Sequence, residues 1–161
     1  MMPSDPGPDM SDSTLDTTLS RLTILLVDDS AALRGALRVS LQAFGCGRVV
    51  EADTVDRALD VLRANPVDLV ITDWKMKPRD GIDFVRTLRD RRHSPVPHLP
   101  VIMLSAYSAE DRIRQARETG VDAFLTKPFT AANLAQTLRE TLGSTSRIRA
   151  GADDAALATA S

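Results

Sequence analysis

Large apolar residues in this chain come in short unbroken runs. Ile24-Leu25-Leu26-Val27, Leu69-Val70-Ile71 and Val101-Ile102-Met103-Leu104 are the strongest, with weaker ones at Val49-Val50 and Ala123-Phe124-Leu125. Such runs are too short for helices. A strand that is apolar at every position is buried on both faces, the mark of a parallel sheet covered by helices on either side. The intervals between the runs read as those helices. Leu33, Leu37, Leu41 and Phe44 fall on one stripe, and Gly45 follows as a stop. Val55, Ala58, Leu59 and Leu62 form a second, with Thr54 placed to cap it and Asn65-Pro66 to end it. Ile82, Val85 and Leu88 belong to a third. The fourth, near Ala109 to Thr119, offers mainly Ile113 and Ala116 to a core, so it is expected to be the least firmly docked. Thr130 can cap a fifth, carried by Leu134, Leu138 and Leu142 and stopped at Gly143.

Five strands alternating with five helices predict a doubly wound α/β domain. The second and fifth strands are the most polar and belong at the edges. The order 2-1-3-4-5 satisfies this, with right-handed crossovers placing helices on both faces. In that order the winding reverses between strands 1 and 3, and ligands of open α/β sheets bind at the carboxyl ends of the strands at such a reversal.

Residues 1–20 are rich in Pro, Gly, Ser, Asp and Thr and are expected to form a disordered arm; residues 144–161 are expected to form a flexible tail, leaving 21–143 as the folded domain. The formal net charge is −2 and the middle of the chain is close to balance, which is not the basic footprint of a nucleic-acid binder. No apolar run approaches the roughly 18 residues needed to span a bilayer. The start Met1-Met2-Pro3-Ser4-Asp5 lacks the basic and apolar stretches of a signal peptide, so a cytoplasmic location is the default expectation. Cys46 cannot form an internal disulfide and is read as a small residue in a Gly45-Cys46-Gly47 turn. His93 and His98 lie in a Pro-rich loop and are expected to be solvated rather than ligands.

The residues that end the strands carry the chemistry. Strand 1 ends in Asp28-Asp29, strand 3 in Asp73, strand 4 in Ser105, and strand 5 runs into Lys127-Pro128. An Asp after a strand is often only a cap or turn former, and either Asp29 or Ser30 can cap the first helix. Three convergent carboxylates are another matter. At an effective dielectric of ~20, two charges about 4 Å apart repel by about 4 kcal/mol. Such a cluster suits a hard divalent cation, Mg²⁺ above others. A lysine and a hydroxyl on the far side can then hold a phosphoryl group, with a carboxylate among them as its acceptor.

With Asp28-Asp29, Asp73, Met76, Asp80-Gly81, Ser105-Ala106 and Lys127-Pro128-Phe129 in this order, the chain resembles the response-regulator receiver family of bacterial two-component systems, including chemotaxis-type single-domain members, over about residues 21–143. The resemblance implies a flavodoxin-like fold, Asp73 as phosphoacceptor, and Mg²⁺ held by Asp29, Asp73 and the backbone carbonyl of Lys75, with Asp28 acting mainly through a metal-bound water. It implies that Lys127 and Ser105 bind the phosphoryl group, that Ser105 and Phe124 form the switch, and that a cis peptide joins Lys127 to Pro128. The implied partners are a histidine kinase or phosphotransfer protein and a downstream protein target.

Several positions depart from the family pattern. The Pro that the family commonly has four residues after the acceptor, in Asp-x-x-Met-Pro, arrives one place late, as Pro78, in a loop that carries Lys75, Lys77 and Arg79. Those charges are either solvated or form a positive rim. Phe124 stands where the family often has Tyr and has no hydroxyl to offer. Tyr107, two residues past Ser105, either lies at the rim and hinders attacking water or starts the fourth helix. An aspartyl-phosphate hydrolase needs a carboxylate two residues after its nucleophile, but Lys75 and Ser30 occupy those places. The expectation is therefore a signalling phosphoacceptor with only self-phosphotransfer and autodephosphorylation chemistry, or a phosphate-independent adaptor. About 18 residues after the last helix leave no room for a DNA-binding output domain, so output is expected through protein contact.

Overall fold

A computed structural model describes residues 19–143. Residues 1–18 of the expected arm (1–20) and all of the expected tail (144–161) lie outside the described residues. The elements run β1 (Thr23–Val27), α1 (Ala31–Ala43), β2 (Arg48–Ala52), α2 (Val55–Ala64), β3 (Leu69–Asp73), α3 (Gly81–Arg89), β4 (Val101–Ser105), α4 (Glu110–Thr119), β5 (Ala123–Thr126) and α5 (131–143). All strand pairs are parallel and the sheet order is β2-β1-β3-β4-β5.

Alternation along the strands divides the core in two. Ile24, Leu26, Leu69, Ile71, Ile102 and Leu104 face α1 and α5, meeting Leu37, Leu41, Leu134 and Leu138. Leu25, Val27, Val70, Val101 and Met103 face the other way, toward Leu59, Phe84, Val85 and Leu88 of α2 and α3 and Ala116 of α4. The edge strands β2 and β5 are only partly covered. In α4 Ala116 alone is buried, as the sparse stripe suggested.

Local signals set the boundaries. Ser30, rather than Asp29, caps α1 by accepting from Leu33 N–H at 3.2 Å. Thr54 caps α2 and Asp80 caps α3 in the same way. Thr130 and Asn133 bond reciprocally at the start of α5. Gly45 turns the chain after α1 with φ 92°, a conformation that favours glycine. Leu19, placed within the expected arm, is fully buried, and its carbonyl accepts from Leu22 and Gly47 at 3.0 and 2.8 Å. The folded unit therefore already includes residue 19, because Leu19 completes the core under α1 and α5.

The amino edge of the sheet is held by side chains. Asp68 accepts from Thr23 N–H at 2.9 Å and Asp122 from Val101 N–H at 2.8 Å, so each fixes the start of a neighbouring strand. Arg89, at the end of α3, donates to the carbonyls of Gly120, Pro97 and Leu99 and pairs with Asp122 at 3.0 Å. This ties down the Pro-rich approach to β4. His98 is exposed, and His93, also exposed, lies 2.8 Å from Asp90 rather than being purely solvated. Cys46 leans on the carbonyls of Leu22 and Arg48, and burial pushes its thiol pKa up, which suits a packed residue more than a reactive one.

Candidate functional site

Register builds the site. Val27 lies opposite Thr72, so Asp28 comes level with Asp73 at the end of β3. Asp73 lies opposite Leu104, which puts Ser105 one residue further along. Ser105 lies opposite Thr126, so Lys127 is one residue further again, and its N–H donates to the Ser105 carbonyl at 2.8 Å. Residues separated by up to a hundred positions thus meet at the carboxyl edge, around the reversal between β1 and β3.

Asp28, Asp29 and Asp73 each offer an oxygen within 4.8 Å of the others. Lys127 Nζ lies 2.9 Å from Asp73 Oδ1. Asp28 is almost fully buried; its Oδ1 accepts from Ser30 N–H at 2.8 Å, while its Oδ2 is buried without a hydrogen-bond partner. Burial holds the Asp28 carboxyl above its ordinary pKa, and the charges of Asp73 and Asp29 push the same way, against the Ser30 N–H and Lys127. A buried carboxylate oxygen with no donor is costly. The donor set is all oxygen and one lone pair is left over, which fits a hard divalent cation such as Mg²⁺. The backbone here is fixed by Arg34, which donates to the Asp28 carbonyl and pairs with Glu51 at 3.2 Å. Sequence reasoning did not single out Arg34.

A cavity of about 490 Å³ opens beside Asp73, lined also by Lys75, Ser105, Tyr107, Arg112 and Lys127 among others. Ser105 is buried, and its Oγ accepts from Tyr107 N–H at 3.1 Å. Tyr107 precedes α4 rather than starting it, and its side chain is exposed at the rim. Phe124 is half-buried and meets Trp74 edge to face, with centroids 6.2 Å apart. The three loop cations separate. Lys75 lines the cavity and Lys77 is exposed, but Arg79 bonds to Asp56 and Thr87 and is not among the residues that line it. The Lys127–Pro128 peptide is cis, as is Lys77–Pro78 in the loop whose proline arrives late.

Gly81 makes the closest approach to the site. Its N–H donates to the Trp74 carbonyl at 2.7 Å, and a Cβ added to it would lie 2.2 Å from the Asp73 carbonyl oxygen. Only a residue without a side chain lets α3 begin against the strand end that carries Asp73.

Known proteins resemble this chain in sequence and in fold. The chain is 36% identical over 117 residues to the chemotaxis protein CheY-3 of Vibrio cholerae, covering 73% of this chain and 88% of that protein. It is 38% identical over 111 residues to the chemotaxis protein CheY of Pseudomonas aeruginosa, covering 68% and 87%. Among solved structures, CheY4 of Vibrio cholerae superposes with a TM-score of 0.67 at 27% identity, covering 74% of this chain and 98% of that one. The receiver domain of the histidine kinase CKI1 from Arabidopsis thaliana, solved with Mg²⁺ and BeF3⁻, gives 0.69 at 25% identity, covering 81% and 95%. The family model of the response regulator receiver domain matches residues 24–139. Together with the strand order and the site at its reversal, that match makes this chain a member of the response regulator receiver family of two-component signalling, similar to the CheY proteins.

Proposed function

We propose that this chain accepts a phosphoryl group on Asp73 from a histidine kinase or phosphotransfer protein in the cytoplasm and passes the signal on by protein contact. The observation that carries this reading is the pairing of Asp73 with Lys127 at 2.9 Å beside the Asp28–Asp29 cluster. Asp29, Asp73 and the Lys75 carbonyl would hold Mg²⁺, with Asp28 acting through water. When bound, the cation neutralises charge on the phosphoryl oxygens. An Asp73 carboxylate oxygen attacks phosphorus and the bond from phosphorus to the donor breaks. Lys127, freed from the carboxylate, pairs with a phosphoryl oxygen. Ser105 turns its hydroxyl to the same group, and Phe124 fills the space that Ser105 leaves. The chemistry is confined to taking up and losing this one group, with no other turnover.

The test is incubation with Mg²⁺ and acetyl phosphate followed by intact mass measurement. The expected result is a gain of one phosphoryl group, absent in Asp73→Asn and in the presence of EDTA. No gain in the wild type would favour a phosphate-independent adaptor.

Tyr107 bears on how long the phosphate stays. Its ring stands at the rim, where attacking water must pass. Tyr107→Ala is expected to lose phosphate about fivefold faster, roughly 1 kcal/mol off the barrier to hydrolysis. The decay of the phosphorylated mass after removal of donor reads this directly, and an unchanged decay would show that the ring does not hinder water.

A further inference from the structure

The guanidinium of Arg112, on α4, lies over two aromatic rings, with its central carbon 5.0 Å from the Trp74 centroid and 4.9 Å from that of Tyr107. It has no hydrogen-bond or carboxylate partner for its side chain among the described residues. Arg34, Arg38, Arg57, Arg79 and Arg89, by contrast, each hold a carboxylate. Contact with ring faces uses the charge of a guanidinium without consuming its N–H donors. Arg112 lines the same cavity as Asp73.

We infer that Arg112 is a donor-binding residue that favours acyl phosphates, receiving their carboxylate leaving group at the mouth of the Asp73 cavity. The inference rests on the reading of Asp73 as phosphoacceptor. In an in-line displacement the leaving group departs on the side opposite the attacking oxygen. Asp73 attacks from the floor of the cavity, so the leaving group faces outward. The phosphoryl oxygens would be served by Ser105, by Lys127 and by the cation that the acidic cluster would hold. What remains at the mouth is the open edge of Arg112, with Lys75 nearby. For an acyl phosphate, the bond from Asp73 oxygen to phosphorus forms as the bond from phosphorus to the acyl oxygen breaks. The electron pair goes to that oxygen, no proton moves, and a carboxylate is released. Its two oxygens match the planar fork of a guanidinium, and the charge grows as the reaction proceeds, so the contact is stronger in the transition state than in the bound donor. A donor that releases a neutral amine, such as phosphoramidate or a protonated phosphohistidine, develops no such charge and gains nothing from Arg112.

The test compares acetyl phosphate with phosphoramidate. Second-order rate constants for phosphorylation would be taken from intact mass time courses at saturating Mg²⁺, for wild type, Arg112→Gln and Arg112→Lys. The expected result for Arg112→Gln is a loss of about tenfold with acetyl phosphate, the size of one charge-assisted hydrogen bond. With phosphoramidate the rate stays within about twofold, and Arg112→Lys falls between. That second donor also serves as the control for folding and pocket shape. An equal loss with both donors means a structural role and overturns the inference, as does no loss with either or a greater loss with phosphoramidate. Wild type that takes phosphate from neither donor sinks the reading of Asp73 and this inference with it.

Discussion

Gly81→Ala is expected to lower the stability of the domain by about 2–4 kcal/mol and to slow phosphorylation of the molecules that still fold by at least about tenfold. Intrinsic preference works the other way, since alanine is favoured over glycine inside a helix by up to about 1 kcal/mol. The contact decides the sign. The added Cβ would lie 2.2 Å from the Asp73 oxygen and 3.1 Å from the Asp73 carbonyl carbon and the Trp74 Cα, all of them backbone atoms. None can turn away as a side chain would. Trp74 N–H is bonded to the Leu104 carbonyl at 2.9 Å, so retreat of this segment pulls on β4 as well. Either α3 moves out, exposing Ile82 and Val85, or Asp73 moves from Lys127. Urea unfolding would measure the first effect and the rate with acetyl phosphate the second. A variant as stable and as reactive as wild type would show that the approach carries no constraint.

Asp28→Asn is expected to raise the melting temperature in metal-free buffer at neutral pH by several degrees, corresponding to about 1–2 kcal/mol. It is also expected to shrink the further rise that Mg²⁺ produces. Asp28 is buried, pushed by two neighbouring carboxylates, and one of its oxygens has no donor. An amide keeps the shape and removes the charge. The direction of the pH dependence follows from the raised pKa. The folded state holds the Asp28 proton more tightly than the unfolded chain does. Stability from this group is therefore fully present below the ordinary value of 3.8 and is lost as pH rises through the raised one. Metal-free wild type should accordingly lose stability from Asp28 across that window as pH rises, and Asp28→Asn should lack that component. With Mg²⁺ at about a hundred times its dissociation constant, binding restores about 2.7 kcal/mol to the wild type. Thermal melts over pH, with and without Mg²⁺, would separate these effects. A variant less stable than wild type without metal would contradict them.

The strand order was legible because burial on both faces leaves an unmistakable pattern, and the shorter apolar runs at Val49-Val50 and Ala123-Phe124-Leu125, in more polar strands, mark the edges. The acidic cluster and its lysine were legible because each ends a strand, and parallel strands bring their ends together whatever the lengths between. What the sequence concealed were contacts made by long side chains. Arg112 and Trp74 are far apart in the chain, and nothing local marks an arginine as stacked rather than solvated. Arg79 sits among loop cations that look alike, yet Asp56 on α2 takes it out of the group. Arg89 reads as an ordinary basic residue at a helix end, although it bonds three carbonyls from two separate loops. Ser30 and Asp29 are equally good caps by type, and only the backbone geometry selects between them.

The one-residue advance from Asp73 to Ser105 to Lys127 across neighbouring strands has a bearing on how such a chain can diverge. Removing one residue inside β3, β4 or β5 would shift the strand end by about 3.3 Å and turn its last side chain to the opposite face. Substitution within the strands is therefore a far gentler change than insertion or deletion. The stretch from Arg91 to Pro95 lies outside that restriction, because Arg89 holds the chain at the Pro97 and Leu99 carbonyls and the Pro100 carbonyl accepts from Val70 N–H at 2.9 Å before β4 begins. Length can drift there between lineages while the spacing of the chemistry five residues later stays the same.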